Sequence, residues 1–287
     1  LFHKDMYIHT ALISMYSKCG SLKESQQVFD EILVRNVICW NALISGYAQQ
    51  GYGNDALKCF MSMQEEGHPP DVVTFTCMFK ACGSIKSVGK GEDMHARIRK
   101  QGLLTHNTVL GNALVHMYAK CGMIKKALEV FNEILIRDVA SWNALINGYA
   151  NHGFGEKALE CFAQMQVEGT SPDSITFACV LNACGSLGLI EKGEKIHAEV
   201  ASKGLLSDNV VLGNAIVGMY VKCGALEKAQ EVFDSLPIWN VTSLNILLAG
   251  YSQNGQGEEA LNKFESSQYK EISPNVVTFV CILKACG

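Results

Sequence analysis

Twelve cysteines and eight histidines are the side chains of this chain that could bind a metal or form disulfides. Eleven of the cysteines recur at a shift of 102 residues, as Cys19, Cys121 and Cys223 do, and no C-x-x-C pair is present. We therefore predict free thiols packed in a repeated core, no metal site and a reducing compartment. His95 and His197 are also related by the repeat, and we predict packing roles for both.

The bulk composition is typical of a folded chain with nearly balanced charge. Of the 287 residues, 48% are apolar and 18% charged, so the chain can bury a continuous core, and no apolar run is long enough to span a membrane. With 24 basic and 28 acidic side chains, the net charge is −4. Nucleic-acid binding, if present, must therefore depend on a local arrangement rather than on a basic excess.

Internal repeats organise the whole sequence. The stretch 37–107 returns after 102 residues, and each period divides into blocks of 31, 35 and 36 residues with no separate linker. A fixed long period indicates a solenoid of stacked units. The chain begins and ends inside blocks, so we expect a segment of a longer protein. The complete blocks are 6–36, 37–71, 72–107, 108–138, 139–173, 174–209, 210–240 and 241–275, flanked by the end of one block at 1–5 and the start of another at 276–287.

Each block predicts a pair of helices that positions its polar residues. In 37–71, Trp40, Leu43 and Ile44 recur at three- and four-residue steps, which marks one face of a helix. Gly51 then supplies a turn, and Asn54 stands where the N-cap of a second helix is expected. Two helices of about a dozen residues cannot bury such stripes alone, so consecutive pairs must stack. The predicted fold is all-α.

The block motifs resemble pentatricopeptide repeats. The 35-residue blocks carry W-N-A-L-I-x-G-Y-A and E-G-x-x-P-D, the short blocks N-A-L-V-x-M-Y-x-K-C-G, and the long blocks T-F followed by A-C-G. Their order resembles the plant PLS class, in which P, L and S repeats alternate and which includes organellar RNA-editing specificity factors. The 31-, 35- and 36-residue blocks would then be S, P and L repeats, and 276–287 the start of a truncated L repeat. The resemblance implies a right-handed α-solenoid of helix-turn-helix repeats.

The resemblance also implies sequence-specific binding of single-stranded RNA, one base per repeat. In the family, the fifth and last residues of a repeat read the base, and we name these two residues the reader pair. An Asn amide offers a donor and an acceptor, whereas a carboxylate only accepts. Alternatively, the last residue is the N-cap of the next helix, and the two roles are compatible. The reader pairs are Thr10 with Asn36, Asn41 with Asp71, Asn112 with Asp138, Asn143 with Asp173, Asn214 with Asn240, and Asn245 with Asn275.

Family analogy assigns a base to each reader pair. Asn with Asp favours U, Asn with Asn favours C over U, and Thr with Asn favours A. The expected ligand is A-U-x-U-U-x-C-C/U, with the protein N-terminus toward the RNA 5′ end. The long blocks are weaker candidates, because they pair Thr76 with Asn107 and the apolar Ala178 with Asn209.

Two further sets of recurring residues are candidates for RNA contacts. The resemblance implies that the second residue of each block packs against a base, although packing at the helix start is an alternative. Lys18, Lys120 and Lys222 precede Cys-Gly, where they could hold phosphates or favour the C-terminus of a helix. The second residues are Tyr7, Ile38, Val73, Val109, Ala140, Ile175, Val211 and Thr242.

The resemblance places catalysis outside this segment. PLS proteins direct cytidine-to-uridine editing in plant organelles through a zinc deaminase, which needs a P-C-x-x-C ligand pair and is attached downstream or recruited. This chain lacks that pair, so we expect no enzyme activity, no cofactor and no small-molecule or membrane partner. Expected partners are single-stranded RNA and a deaminase or other editing protein, in a mitochondrion or chloroplast. The alternative function is a helical scaffold that binds a protein partner on the same surface.

Overall fold

A computed structural model describes residues 2–104, 107–268 and 273–286. Every regular element within these ranges is an α-helix, which confirms the all-α prediction. The chain divides into two compact units, Leu1–Gly148 and Tyr149–Gly287. None of the helices in the described ranges combines the length and apolar character needed to cross a bilayer.

The first unit is built from helices joined by short turns. Successive helices form antiparallel pairs, and the first helices of neighbouring pairs pack on one another. The helices are α1 (Phe2–Lys18), α2 (Leu22–Asp30), α3 (Val37–Gln49), α4 (Gly53–Glu65), α5 (Val72–Ser84), α6 (Val88–Lys100), α7 (Thr108–Lys120), α8 (Ile124–Glu133) and α9 (Val139–Asn151), of which α9 ends in the second unit.

The second unit repeats the same plan. From Ser174 onward, each first helix packs on the next first helix, and each second helix contacts the first helices before and after it. The helices are α10 (Gly155–Val167), α11 (Ser174–Leu187), α12 (Ile190–Ser202), α13 (Val210–Lys222), α14 (Leu226–Ser235), α15 (Val241–Gln253), α16 (Gly257–Gln268) and α17 (Val276–Ala285).

The core of each pair is the apolar stripe that the sequence predicts. In α3, Trp40, Leu43 and Ile44 are buried, and the Trp40 ring meets Phe29 of α2 edge-on with centroids 4.6 Å apart. The Arg35 guanidinium carbon lies 4.6 Å from the centroid of the Phe29 ring. This cation–π contact stabilises the turn between α2 and α3. Packing of apolar faces between adjacent pairs therefore stabilises helices that would be too short to persist alone.

The start of α4 differs from the prediction. Asn54 is inside α4, which begins at Gly53 after Tyr52 as N-cap. Gly51 has φ of +84°, and the Tyr52 N–H donates to Tyr47 O, so the chain reverses two residues earlier than the side-chain signal suggests. Gly53 also lies where a Cβ would come within 2.7 Å of the Ala81 carbonyl, so only glycine permits this close helix approach.

Candidate nucleic-acid interface

Asn41 and Asp71 lie together at the boundary between α3 and α5. Asn41 is the fifth residue of α3 and is 7% exposed, while Asp71 immediately precedes α5. Asn41 Nδ2 donates to Asp71 Oδ1 at 2.9 Å. The Thr74 hydroxyl lies 2.7 Å from Asn41 Oδ1 and 2.9 Å from Asp71 Oδ1, so all polar atoms of the Asn41 amide have partners. The two residues predicted as a reader pair therefore form one hydrogen-bonded site.

Asp71 is also the N-cap of α5. Its Oδ1 accepts from the Thr74 backbone N–H at 2.8 Å, and the Asp71 N–H donates back to the Thr74 hydroxyl, which completes a capping box. Partial burial raises the pKa of Asp71, but the hydrogen bonds from Thr74 and Asn41 outweigh it and hold the pKa below its ordinary value. The carboxylate therefore stays ionised at neutral pH. The Asn41 and Thr74 bonds all converge on Oδ1, which leaves Oδ2 as the oxygen available for a further donor.

Asn112 and Asp138 form a similar pair between α7 and α9. Asn112 Nδ2 donates to Asp138 Oδ1 at 2.9 Å, and the Ser141 N–H and hydroxyl donate to the same oxygen. Burial raises the pKa of Asp138, and these bonds lower it below its ordinary value. Unlike Asn41, however, Asn112 keeps its buried Oδ1 without a donor in the described part of the chain.

The second unit places asparagines at both positions of two pairs. Asn245 Nδ2 donates to Asn275 Oδ1 at 3.1 Å, and the same oxygen caps α17 by accepting from the Thr278 N–H. Asn240 caps α15 through its Oδ1, and no hydrogen bond joins it to Asn214. In both capping asparagines, the amide nitrogen has no hydrogen-bond partner within the described residues. The cap thus turns the oxygen inward and leaves Nδ2 for another group.

The predicted reader pair of Thr10 with Asn36 is not joined in this way. Asn36 caps α3 through Oδ1, but its Nδ2 lies 2.7 Å from the Met6 sulfur, and the Thr10 hydroxyl donates to the Met6 carbonyl. The remaining pair is divided between the two units. Asn143 is a buried residue of α9 in the first unit, and Asp173 caps α11 in the second with a capping box to its Thr176 partner.

The long blocks depart from this geometry. Asn107 and Asn209 cap α7 and α13, but with ψ of 89° and 84° instead of the extended value near 180° that Asp71 adopts. Thr76 uses its hydroxyl to donate to the Val72 carbonyl 2.7 Å away, within its own helix. Ala178 has no polar group to offer. The four weaker candidates therefore form no polar pair that resembles Asn41 with Asp71.

The second residues of the blocks are exposed, and most of them are apolar. Seven of them lie at the start of a first helix, whereas Tyr7 lies inside α1, and packing at the helix start was the alternative. That alternative does not fit the structure, because the six large members are 53–75% exposed and Ala140 and Thr242 are also exposed. Their exposure leaves these side chains accessible to a ligand. The six are Tyr7, Ile38, Val73, Val109, Ile175 and Val211.

The three recurring lysines end first helices, where a positive charge favours the negative end of the helix dipole. Lys222 also donates to Asn182 Oδ1 and lies 3.5 Å from the Ser186 hydroxyl. Lys222 therefore links the end of α13 to side chains of α11. Lys18 and Lys120 are exposed.

The two histidines related by the repeat hydrogen-bond to tyrosines. His95 and His197 place Nδ1 at 2.9 and 3.1 Å from the hydroxyls of Tyr118 and Tyr220. His197 belongs to a His-Ala-Glu sequence, but no three His, Cys, Asp or Glu side chains in the described ranges could hold a metal ion together.

All the cysteines are free thiols, and burial raises the pKa of Cys82 and Cys184 to about 11. Core packing is wrong for Cys19, which follows the last residue of α1 and is exposed.

Comparison with known families gives a match over most of the chain. Residues 35–84, 137–186 and 239–287 match a profile described as the PPR repeat family. A second profile, described as the PPR repeat, matches 7–37, 112–139, 175–205 and 214–240. The matched segments fall in both units.

Curated relatives come from Arabidopsis thaliana. A mitochondrial pentatricopeptide repeat-containing protein is 36% identical over 98% of this chain and 27% of its own length. A chloroplastic pentatricopeptide repeat-containing protein is 33% identical over 99% of this chain and 46% of its own length. The chain spans between about a quarter and a half of these relatives.

Solved structures show the same fold. PPR10 in complex with an 18-nucleotide psaJ RNA element superposes with a TM-score of 0.77 at 21% identity, covering 96% of this chain and 42% of PPR10. PPR10 from maize gives a TM-score of 0.58 at 20% identity, covering 96% of this chain and 46% of PPR10. The likeness confirms the expected fold class, an α-solenoid of stacked helix-turn-helix repeats.

Proposed function

Because the chain belongs to the pentatricopeptide repeat family, we propose that it binds single-stranded RNA in a sequence-specific manner, with about one base per repeat. The observation that carries the proposal is the pairing of Asn41 with Asp71 and its counterparts. Asn41, Asn112 and Asn245 each donate Nδ2 to the residue that caps the next first helix, and that capping residue keeps one polar atom unused. The RNA complex of PPR10, which has the same fold, is in keeping with this function.

Capping gives the last residue of a block a fixed hydrogen-bonding character. An N-cap must turn an oxygen toward the helix N–H groups, and Asp71 uses Oδ1 for this purpose. Its second oxygen can then only accept, which suits the N3–H of uracil. In Asn240 the same requirement leaves Nδ2 outward, which can only donate and suits the N3 lone pair of cytosine. A capping Asp therefore presents an acceptor to the base and a capping Asn presents a donor, without any change in helix geometry.

The exposed second residues supply the contact that does not depend on sequence. Ile38 and Val73 open consecutive first helices, and their β-branched side chains have few rotamers to lose when a base packs against them. Base stacking or packing against such side chains tolerates any base, while the hydrogen bonds distinguish among bases. Lys120, exposed at the end of α7, is a candidate phosphate contact of the same sequence-independent kind.

These assignments give a specific ligand. The proposed RNA is A-U-x-U-U-x-C-C/U, with the protein N-terminus toward the 5′ end. The A assigned to Thr10 with Asn36 rests on family analogy alone, because those side chains make separate contacts. No base is assigned to the long blocks, whose Thr76 hydroxyl is engaged in its own helix and whose Ala178 is apolar.

We propose the PLS repeat class and a role in organellar cytidine-to-uridine editing as the finer function. The blocks of 31, 35 and 36 residues are proposed as S, P and L repeats, since first helices begin at 37, 72, 108, 139, 174, 210, 241 and 276. The mitochondrial and chloroplastic relatives support an organellar location. Deamination would be carried out by a zinc enzyme elsewhere in the full protein or by a partner.

The proposal is tested by titrating the purified chain into fluorescently labelled octamers at fixed salt. The proposed octamer should bind, and replacing the base at position 2, 4, 5 or 7 should weaken binding by about 1–3 kcal/mol per position, as for other base-edge contacts. Replacements at positions 3 and 6, under the long blocks, should cost less. Binding that ignores all replacements, or no binding to any RNA, would refute the proposal and favour the scaffold function.

A further inference from the structure

Thr74 touches both residues of a reader pair although it belongs to the following block. Its side chain is fully buried, and its hydroxyl lies within hydrogen-bond distance of Asn41 Oδ1 and Asp71 Oδ1. The same hydroxyl accepts from the Asp71 backbone N–H at 3.1 Å. Thr74 thus holds the amide of the fifth residue, the carboxylate of the last residue and the backbone between the blocks in one network.

The network leaves Asn41 with a single orientation. Its Nδ2 is anchored on Asp71 and its Oδ1 on Thr74, so rotation of the amide would break two hydrogen bonds at once. Asn112 has only the first anchor, because the Ser141 hydroxyl reaches Asp138 alone and Asn112 Oδ1 remains buried without a donor. Rotation of the Asn112 amide therefore breaks one hydrogen bond, the one to Asp138, rather than two.

Orientation matters because uracil and cytosine present opposite patterns of donors and acceptors. An Asn amide carries both kinds of group, so one that rotates can adapt to either pyrimidine. An amide held at both ends presents one pattern and rejects the other. Two reader pairs with the same residue types, Asn41 with Asp71 and Asn112 with Asp138, therefore differ in the freedom that sets discrimination.

The long blocks show what happens without a hydroxyl at this position. Leu110 and Leu212 occupy the site equivalent to Thr74, and neither α7 nor α13 has a capping box. The preceding Asn107 and Asn209 adopt ψ near 85° and form no polar pair with a fifth residue. Each of the three joined pairs has such a hydroxyl beside it, at Thr74, Ser141 and Thr278.

We propose that Thr74 is a positioning residue for base recognition by the block 37–71, and that Ser141 performs only part of this role for the block 108–138. The inference rests on the proposed function, because it concerns how strongly a bound base is distinguished. It adds Thr74, the third residue of the following block, to the determinants of specificity of the block 37–71; the equivalent Thr278 hydroxyl bonds to Asn275 and leaves Asn245 Oδ1 without a donor in the described residues.

The experiment measures the ratio of dissociation constants for octamers with C or U at position 2, under the block 37–71. Thr74→Val keeps the shape of the side chain but removes the hydroxyl, and it should lower this ratio by about fivefold or more. Thr74→Ser retains the hydroxyl but, like Ser141, lacks the methyl group, so its ratio should lie between those of the original chain and Thr74→Val. Thr76→Val is the matched control in the same helix, since that hydroxyl bonds only to Val72, and it should leave the ratio at position 2 unchanged.

The original chain provides an independent measurement in case Thr74→Val does not fold. Changing U to C should cost about fivefold more at position 2 than at position 4, which faces Asn112 with Asp138. Equal costs at the two positions, or an unchanged ratio in folded Thr74→Val, would overturn the inference while leaving RNA binding intact. A merely structural role for Thr74 would weaken all octamers alike. Failure of the original chain to bind any octamer would instead overturn the proposed function.

Discussion

Asp71→Asn changes the outward atom of one reader pair from an acceptor to a donor while keeping the cap of α5. The remaining side-chain oxygen can still accept from the Thr74 N–H, and Asn caps helices about as well as Asp. We therefore expect the free energy of unfolding to change by less than about 0.5 kcal/mol. Base preference at position 2 of the octamer should change from U to C.

The magnitude follows from the hydrogen bonds exchanged. A bond from uracil N3–H to the Asp71 carboxylate is charge-assisted and contributes about 1.5–3 kcal/mol, while a neutral bond from Asn to cytosine N3 contributes about 0.5–1.5 kcal/mol. Losing the first and gaining the second shifts the preference by at least about 2 kcal/mol, which is roughly 30-fold in the ratio of dissociation constants. The lowered pKa of Asp71 keeps the carboxylate ionised, so the original preference should not change between about pH 5 and 8.

Fluorescence anisotropy with octamers carrying U or C at position 2, in one buffer at fixed salt, measures this ratio. Asn240→Asp is the mirror experiment and should turn the preference at position 7 from C to U. Asp71→Ala removes the cap as well as the reading atom, so it should lose about 1 kcal/mol of stability together with its preference. An unchanged ratio in folded Asp71→Asn would refute the assignment of Asp71 as a reader.

Further expectations concern the scaffold. Gly53→Ala should destabilise the fold by about 1–3 kcal/mol in chemical denaturation, because its Cβ would meet a backbone carbonyl, whereas the open helical Gly89→Ala should be neutral or slightly stabilising. Burial, with a smaller effect of a nearby arginine, lowers the pKa of His95. The contribution of the neutral imidazole to the free energy of unfolding should therefore be fully present above about pH 6.5 and be lost as pH falls. In His95→Asn, the melting temperature should decrease less steeply with falling pH. Iodoacetamide should label exposed Cys19 quickly and leave buried Cys82, whose pKa is raised to about 11, unlabelled until unfolding, as peptide mass mapping would reveal.

Helix pairs could be predicted from the sequence because their signals are local. Trp40, Leu43 and Ile44 fall at helical spacing, and burial of that face is the only arrangement that removes them from water. The start of α4 could not be predicted as well, since Asn54 is a good N-cap by residue type while the turn at Gly51 decides where the helix begins.

The arrangement of the candidate site was only partly accessible. The position of Asn41 within a helix and of Asp71 just before one follows from periodicity, and their spacing brings them to adjacent first helices. The Asp-x-x-Thr pattern predicts the capping box between Asp71 and Thr74. The hydrogen bond from Thr74 to Asn41 could not be predicted, because it depends on how closely α3 and α5 approach each other. The exposure of Ile38 could not be predicted either, because an apolar residue at the start of a helix can be buried or exposed.

The capping residue both holds the start of a helix and reads a base. This limits how the recognised RNA sequence could change. Replacing Asp71 by a bulky or aliphatic side chain would unfasten the beginning of α5, so variation at this site is confined to residues that also hold a helix end. Asp and Asn both satisfy that demand and differ in the pyrimidine they favour. A lineage could therefore exchange one pyrimidine for the other in its target without passing through an unstable protein.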